Sequence, residues 1–150
     1  MNIIATIGGL NAFREAQLGT SVTISYFKIG EGGWQILNGA QVMRTPDPNL
    51  SDLDCIENPS RYPSDSLVWY QKSITEADIT HSEDGEITLA CELDVGEGND
   101  FNDIDPPEYW EIGVFTDEDV MMYYGTFSKF SKISDRVFHL DLAITIENVS

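Results

Sequence analysis

From Phe138 to Ile146 an apolar side chain recurs at every second position: Phe138, Leu140, Leu142, Ile144 and Ile146. His139, Asp141, Thr145 and Glu147 fall largely on the opposite face. A period of two is that of a strand with one face in a core and the other in water. A chain that ends this way must supply a second layer for the apolar face to pack on, and the preceding residues supply further strands. Tyr109–Thr116 and Val120–Phe127 flank Asp117-Glu118-Asp119 as a hairpin, and Glu86–Val95 follows the turn signal Glu83-Asp84-Gly85. Leu67–Ile74 and Ser21–Lys28, rich in β-branched and aromatic residues, read as strands as well.

The remainder is not strand-like. Gly8–Leu18 places Leu10, Phe13 and Gln17 at helical spacing, with Gly19 positioned to stop the helix. Gly30-Glu31-Gly32-Gly33 is a turn that needs glycine freedom, and Trp34–Met43 fits neither period. Residues 44–66 hold Pro46, Pro48, Pro59 and Pro63 and form a long loop with one helical turn, while residues 96–107 form an acidic loop. The expected fold is mainly β (α+β): an antiparallel sheet or sandwich of five to seven strands, with a short N-terminal helix and a long Pro-rich loop. At 150 residues, this is a single domain spanning 1–150 that buries roughly 70% of its unfolded surface. The echo between Phe27-Lys28-Ile29-Gly30 and Trp110-Glu111-Ile112-Gly113 is too short to establish a duplication.

Charge narrows the range of functions. The net charge is −18, and residues 76–150 carry 19 acidic against 3 basic side chains. Phosphate backbones and anionic lipid are held through Lys and Arg, so neither nucleic acid nor a membrane surface is an expected partner. No run approaches the ~20 apolar residues of a membrane span, and the first residues lack the basic region of a secretory signal. Synthesis in a cytoplasm is expected. Cys55 and Cys91 do not make a disulfide framework, and Cys91, inside Ile87-Thr88-Leu89-Ala90-Cys91, reads as a core residue.

Catalytic patterns are not found. His81 and His139 have no metal-spaced partners, no Gly-x-Ser-x-Gly occurs, and the glycine turn carries a carboxylate where a phosphate would be repelled. No acid and nucleophile pair is identifiable among so many carboxylates. The expectation is a non-enzyme without cofactor or metal. The nearest approach to a calcium loop is Asp94, Asp100, Asp103 and Asp105, which lacks the bidentate Glu of an EF-hand. Trp34, Trp69, Tyr70, Tyr109, Trp110, Tyr123 and Tyr124 could line a sugar-binding face, but aromatics inside strands more commonly pack, and packing is the expectation for Trp69 and Trp110.

Two segments resemble the phage tail-collar fibre family, the N-terminal attachment domain of phage tail fibres. Gly9-Leu10-Asn11-Ala12 through Ser25-Tyr26-Phe27-Lys28-Ile29-Gly30-Glu31-Gly32-Gly33 is similar to the family's opening helix, strand and "k-IG-GdGG" turn. Tyr109-Trp110-Glu111-Ile112-Gly113-Val114-Phe115-Thr116-Asp117-Glu118-Asp119 is similar to its "reiGlfd-dG" segment, with Asp117-Glu118-Asp119 where the family often has Asp-Gly. The matched positions are Ile29, Gly30, Gly32, Gly33, Glu111, Ile112, Gly113 and Phe115, in order along nearly the whole chain; residues 44–66 match no family motif.

The resemblance implies a virion structural protein, assembled in the host cytoplasm and resident in the tail. Its implied partners are other tail, baseplate or fibre proteins, and a homo-oligomer, with a trimer favoured. The family's fibres continue far beyond this domain whereas this sequence stops at Ser150, so an attachment module or adaptor of a phage tail or related contractile injection machine is expected. Candidate docking residues are Ile3, Ile4, Ile7, Trp34 and Tyr62. The alternative is a receptor- or carbohydrate-binding module, with Trp34, Tyr62 or Trp69 stacking on sugar rings.

Overall fold

In a computed structural model, residues 1–19, 21–62, 68–82, 86–99 and 105–145 are described. Their elements run in the order β1 (Asn2–Ala5), α1 (Ile7–Gln17), β2 (Ile24–Gly30), β3 (Trp34–Leu37), β4 (Ala40–Met43), α2 (Asp54–Glu57), β5 (Trp69–Ser73), β6 (Ile79–His81), β7 (Glu86–Leu93), β8 (Glu108–Thr116), β9 (Met121–Ser131) and β10 (Phe138–Thr145). The fold is mainly β, as the alternation required. The described residues form ten strands rather than five to seven, because β1, β3, β4 and β6 are too short to show a period. Gly85 and its turn lie outside the described residues, as do Ile146 and Glu147.

Five strands form one antiparallel sheet in the order β1-β9-β8-β2-β5, three form a second in the order β10-β7-β6, and β3 and β4 pair only with each other. The two echoing segments are neighbours: Ile29 is opposite Ile112 and Gly30 opposite Glu111 on antiparallel β2 and β8. One face of the large sheet packs on the small one. Phe27, Ile29, Ile112 and Val114 meet Leu89, Cys91, Leu93, Phe138, Leu142 and Ile144 there in one apolar cluster. Cys91 is fully buried, and desolvation pushes its thiol up to about 12, so it is an inert core residue.

The opposite face of the large sheet is covered by no third sheet. The described part of the Pro-rich segment, residues 44–62, lies over it, with Leu50, Leu53, Cys55 and Tyr62 packed on Tyr26, Phe115, Met121 and Tyr124; Pro63 lies outside the described residues. Strand β8 is therefore covered on both faces, and Tyr109 to Thr116 are all buried.

The helix α1 begins where expected. The Thr6 hydroxyl accepts the Gly9 amide at 2.9 Å and donates to the Met121 carbonyl, which joins the helix start to β9. A Cβ on Gly9 would stand 2.3 Å from the Met122 carbonyl oxygen, so only glycine lets the helix lie this close. The helix stops at Gly19, whose φ of +101° is the left-handed conformation glycine tolerates.

Candidate functional site

Three of the matched positions, Gly30, Gly32 and Gly33, gather around a fourth, the carboxylate of Glu111, while Ile29 and Ile112 pack on the opposite face of the sheet. Glu111 lies mid-strand on β8, between Trp110 and Ile112, and is completely buried. Its Oε1 accepts the Asp54 amide at 2.6 Å and the Tyr124 hydroxyl at 2.8 Å. Its Oε2 accepts the Gly32 amide at 2.7 Å and the Cys55 amide at 3.2 Å. Asp54 and Cys55 are the first residues of α2, whose flanking Leu53 offers no side-chain cap. Glu111 thus fills the place of a cap, satisfying two orphan amides of that helical turn from a different strand. Burial raises the Glu111 pKa, and the hydrogen bonds from Tyr124 and Cys55 and from the two helix amides oppose that rise.

The glycines around Glu111 are required by space as well as by turn geometry. A Cβ on Gly32 would lie 2.3 Å from Glu111 Oε2 and 2.5 Å from the Cys55 nitrogen. One on Gly30 would meet a Leu53 methyl at 2.8 Å, and Gly33 has a φ of +84°. Gly113 on the same face leaves room for the Met121 sulfur, 2.7 Å from where its Cβ would stand.

A second carboxylate completes the node. Asp54 is bonded by Arg61 at 2.7 Å and by Asn58 at 2.8 Å, with Arg44 at 4.0 Å. It also accepts the Tyr62 hydroxyl, which itself accepts the Gly33 amide at 2.8 Å. Lys28 holds the adjacent Asp52 at 3.1 Å. Three of the chain's eight basic side chains therefore serve this loop. Glu111, Cys55 and Asp54 are at most 3% exposed, and each Glu111 oxygen is occupied by two donors. The chemistry available here is anchorage: a buried anion ties the glycine turn and the Pro-rich loop to the sheet.

The other sequence candidates disperse. Ile3 and Ile4 are half-buried on β1, Ile3 against the main cluster, while Ile7 is 47% exposed at the start of α1. Tyr62 is buried, with its ring edge against Trp34 at 5.3 Å, so it secures the loop rather than facing outward. Trp110 is buried as expected, but Trp69 is 45% exposed because β5 is an edge strand. The Lys28 ammonium stands 4.8 Å from the Trp69 ring centre. Asp94 and Asp105 are exposed, Asp100 and Asp103 lie outside the described residues, and no cluster of three metal-ligating side chains occurs among the described residues. Glu97, beside Asp94, is held by Lys72 at 2.6 Å, and that bond lowers its pKa.

Two titratable groups lie outside the node. His139 on the outer face of β10 is bracketed by Glu92 and Asp141, each at 2.9 Å, and these carboxylates raise its pKa. Glu31, in the glycine turn, accepts the Glu108 amide at 2.7 Å. Burial, together with the carboxylates of Glu108 and Asp105, pushes its pKa up to about 7, against the opposing effect of its backbone hydrogen bonds.

Sequence reasoning reached Glu111 through the resemblance alone. The local signal is a single charge inside the otherwise uncharged run Tyr109–Phe115. Asp54 has no such signal, since its cations Arg61 and Arg44 are assembled only by the loop's path. No helix among the described residues is long and apolar enough to cross a membrane. No protein-family model, curated protein or solved structure matches the chain.

Proposed function

We propose that this chain is a non-enzymatic structural component of a phage tail or related contractile injection machine, acting as a fibre-attachment or adaptor protein at the baseplate or collar. Its partners on this reading are other tail, baseplate or fibre proteins, and its location is the virion tail. The observation that carries the reading is the meeting of the two family-like segments. The glycine turn after β2 and the Glu-Ile-Gly of β8 are joined through Glu111 and Gly32 at 2.7 Å. Positions that look alike only as short strings thus form one interlocking unit, which is what a shared fold requires of them. A rigid, sealed node with no accessible carboxylate also suits a part that bears load rather than one that turns over substrate.

The test is composition of particles. Tail particles purified from a host carrying the gene should contain the chain in stoichiometric amount, and particles made without it should lack their fibres. Absence of the chain from purified particles overturns the proposal.

The alternative, a carbohydrate-binding module, draws on the half-exposed Trp69 ring, with Lys28 beside it. A glycan array that stays silent with and without calcium removes it.

A further inference from the structure

Among the described residues the two larger sheets leave four outer edges: β1 and β5 on one, β10 and β6 on the other. The outer edge of a strand turns every second amide and carbonyl away from the sheet, a template on which another strand can pair. Three of these edges are guarded. β1 has four residues and β6 three, too short to hold a partner firmly, and β5 carries Lys72. β10 has none of these guards. Its eight residues pair with β7 one for one, from Phe138 opposite Leu93 to Thr145 opposite Glu86, without a bulge. It contains no Lys, Arg, Pro or Gly. The core's apolar layer also reaches this rim, for Leu140 belongs to the inward row of Phe138 and Leu142 yet is only half-buried.

Charge selects the occupant. β7 and β10 carry Glu86, Glu92 and Asp141 at exposed or half-exposed positions, and β6, β7 and β10 contain no Lys or Arg. His139 lies 2.9 Å from both Glu92 and Asp141, and even its imidazolium form leaves three carboxylates against one cation. Asp141 stands midway along the edge strand itself. A second copy would bring its own carboxylates to that edge, and like charges on neighbouring strands repel. A strand bearing Lys or Arg meets attraction at the same place.

We propose that β10 is the docking edge for an extended, basic segment of a different protein, which adds a fourth strand to the three-stranded sheet. The added strand sets Lys or Arg beside Asp141 on the outer face and apolar side chains beside Leu140 and Leu142 on the inner one. Main-chain hydrogen bonds supply the affinity, and the alternation of charged and apolar positions supplies the choice of partner. This inference stands apart from the tail reading, which names neither the surface nor the chemistry of a partner.

The probe is a dye-labelled eight-residue peptide of alternating lysine and valine, titrated with the full chain at about 0.05 M salt, where screening is weak. Saturable binding in the micromolar range is expected, weakening as salt is added. Two control peptides should not bind: one with glutamate for lysine, and one of unchanged charge but N-methylated at every residue. Amide hydrogen exchange locates the contact without a variant. Alternate amides between Phe138 and Thr145, those turned away from β7, should slow about tenfold when nine-tenths of the chain is bound, while the β7-bonded amides between them stay as they were. Asp141→Lys, at an exposed position, should weaken the basic peptide roughly tenfold and improve binding of the glutamate peptide. Absence of binding overturns the inference, as does equal binding of the N-methylated peptide, which would mean attraction by charge without strand pairing. Protection that falls on β5 rather than β10 overturns it as well. None of these results touches the particle-composition test, and absence from tail particles leaves this inference standing.

Discussion

The two faces of the five-stranded sheet are both covered by apolar contacts, but only one covering is also pinned by a buried polar network. One meets the three-stranded sheet across a dry apolar cluster in which Leu89, Leu93, Ile112, Val114 and Leu142 have no exposure. The other is covered by a loop that a buried carboxylate draws down: Glu111 from the sheet side, Asp54 from the loop side, and the amides and cations that satisfy them. Apolar contact is non-directional and tolerates small shifts. A fully satisfied anion network fixes one position and is costly when half-made. The loop also packs on this face through Leu50, Leu53, Cys55 and Tyr62, and the network adds the single fixed position that apolar contact alone does not specify. Cys91 lies under the first face and Cys55 under the second, so each covering has its own thiol as a reporter.

The largest expected effects separate the two coverings. Leu142→Ala leaves a cavity between the sheets and should cost about 2–5 kcal/mol, lowering the urea midpoint with the slope unchanged. Glu111→Gln turns an amide NH2 toward amides that donate and should cost about 2–4 kcal/mol. Its distinguishing result is local. A thiol reagent without denaturant should label Cys55 in Glu111→Gln while Cys91 stays protected, and Leu142→Ala should expose Cys91 first. Equal labelling of both thiols in Glu111→Gln would mean that the loop and the sheets open as one unit, and the contrast between the faces would fail.

The same division explains what the sequence reveals. The apolar cluster was legible because its strands alternate: Phe138, Leu140, Leu142 and Ile144 all pack inward, and the β8–β9 hairpin and α1 are where their patterns place them. Trp34–Met43 was not, although it contains Asn38-Gly39. Trp34 packs on Tyr62 at the base of the β3–β4 arm, but the arm's outer part faces no core, so adjacent Ile36 and Leu37 are both exposed and no period arises. Trp69 is exposed for a related reason: an edge strand has apolar residues without a layer over them. Glu111 carries one hint, its isolation among apolar neighbours, but its partners at Gly32, Asp54 and Cys55 are brought to it only by the folded loop.

A smaller effect sharpens the contrast within the node itself. Tyr62→Phe removes a hydroxyl that accepts from Gly33 and donates to Asp54, while the ring keeps its packing on Trp34. Asp54 retains Arg61 and Asn58, so the loss should be about 1–2 kcal/mol, below that of Glu111→Gln. Raised labelling of Cys55 with an unchanged Cys91 is expected. A loss equal to that of Glu111→Gln would place the anchor at Asp54 instead.

The smallest effect is a pH dependence that only the loop face should show. Glu31 has a folded pKa of about 7 against an ordinary 4.5, so the folded state holds a proton that the unfolded state has released between those values. Stability from this group is complete below about pH 4.5 and declines as pH rises toward 7, because the unfolded state binds fewer protons over that range. Glu31→Gln keeps an oxygen for the Glu108 amide and removes the titration. The two proteins should melt alike near pH 4.5, and the variant should be the more stable near pH 8. Screening at this half-buried position keeps the gap to about 1 kcal/mol or less, a few degrees in Tm. Other carboxylates repel more strongly as pH rises, but they do so in both proteins, so the difference between the two curves isolates Glu31. Parallel curves from pH 4 to 8 would place Glu31 in water and detach the glycine turn from the buried side of the comparison. A gap confined to that window would extend the loop face's reliance on captured carboxylates from Glu111 and Asp54 to the turn that Gly32 and Gly33 close.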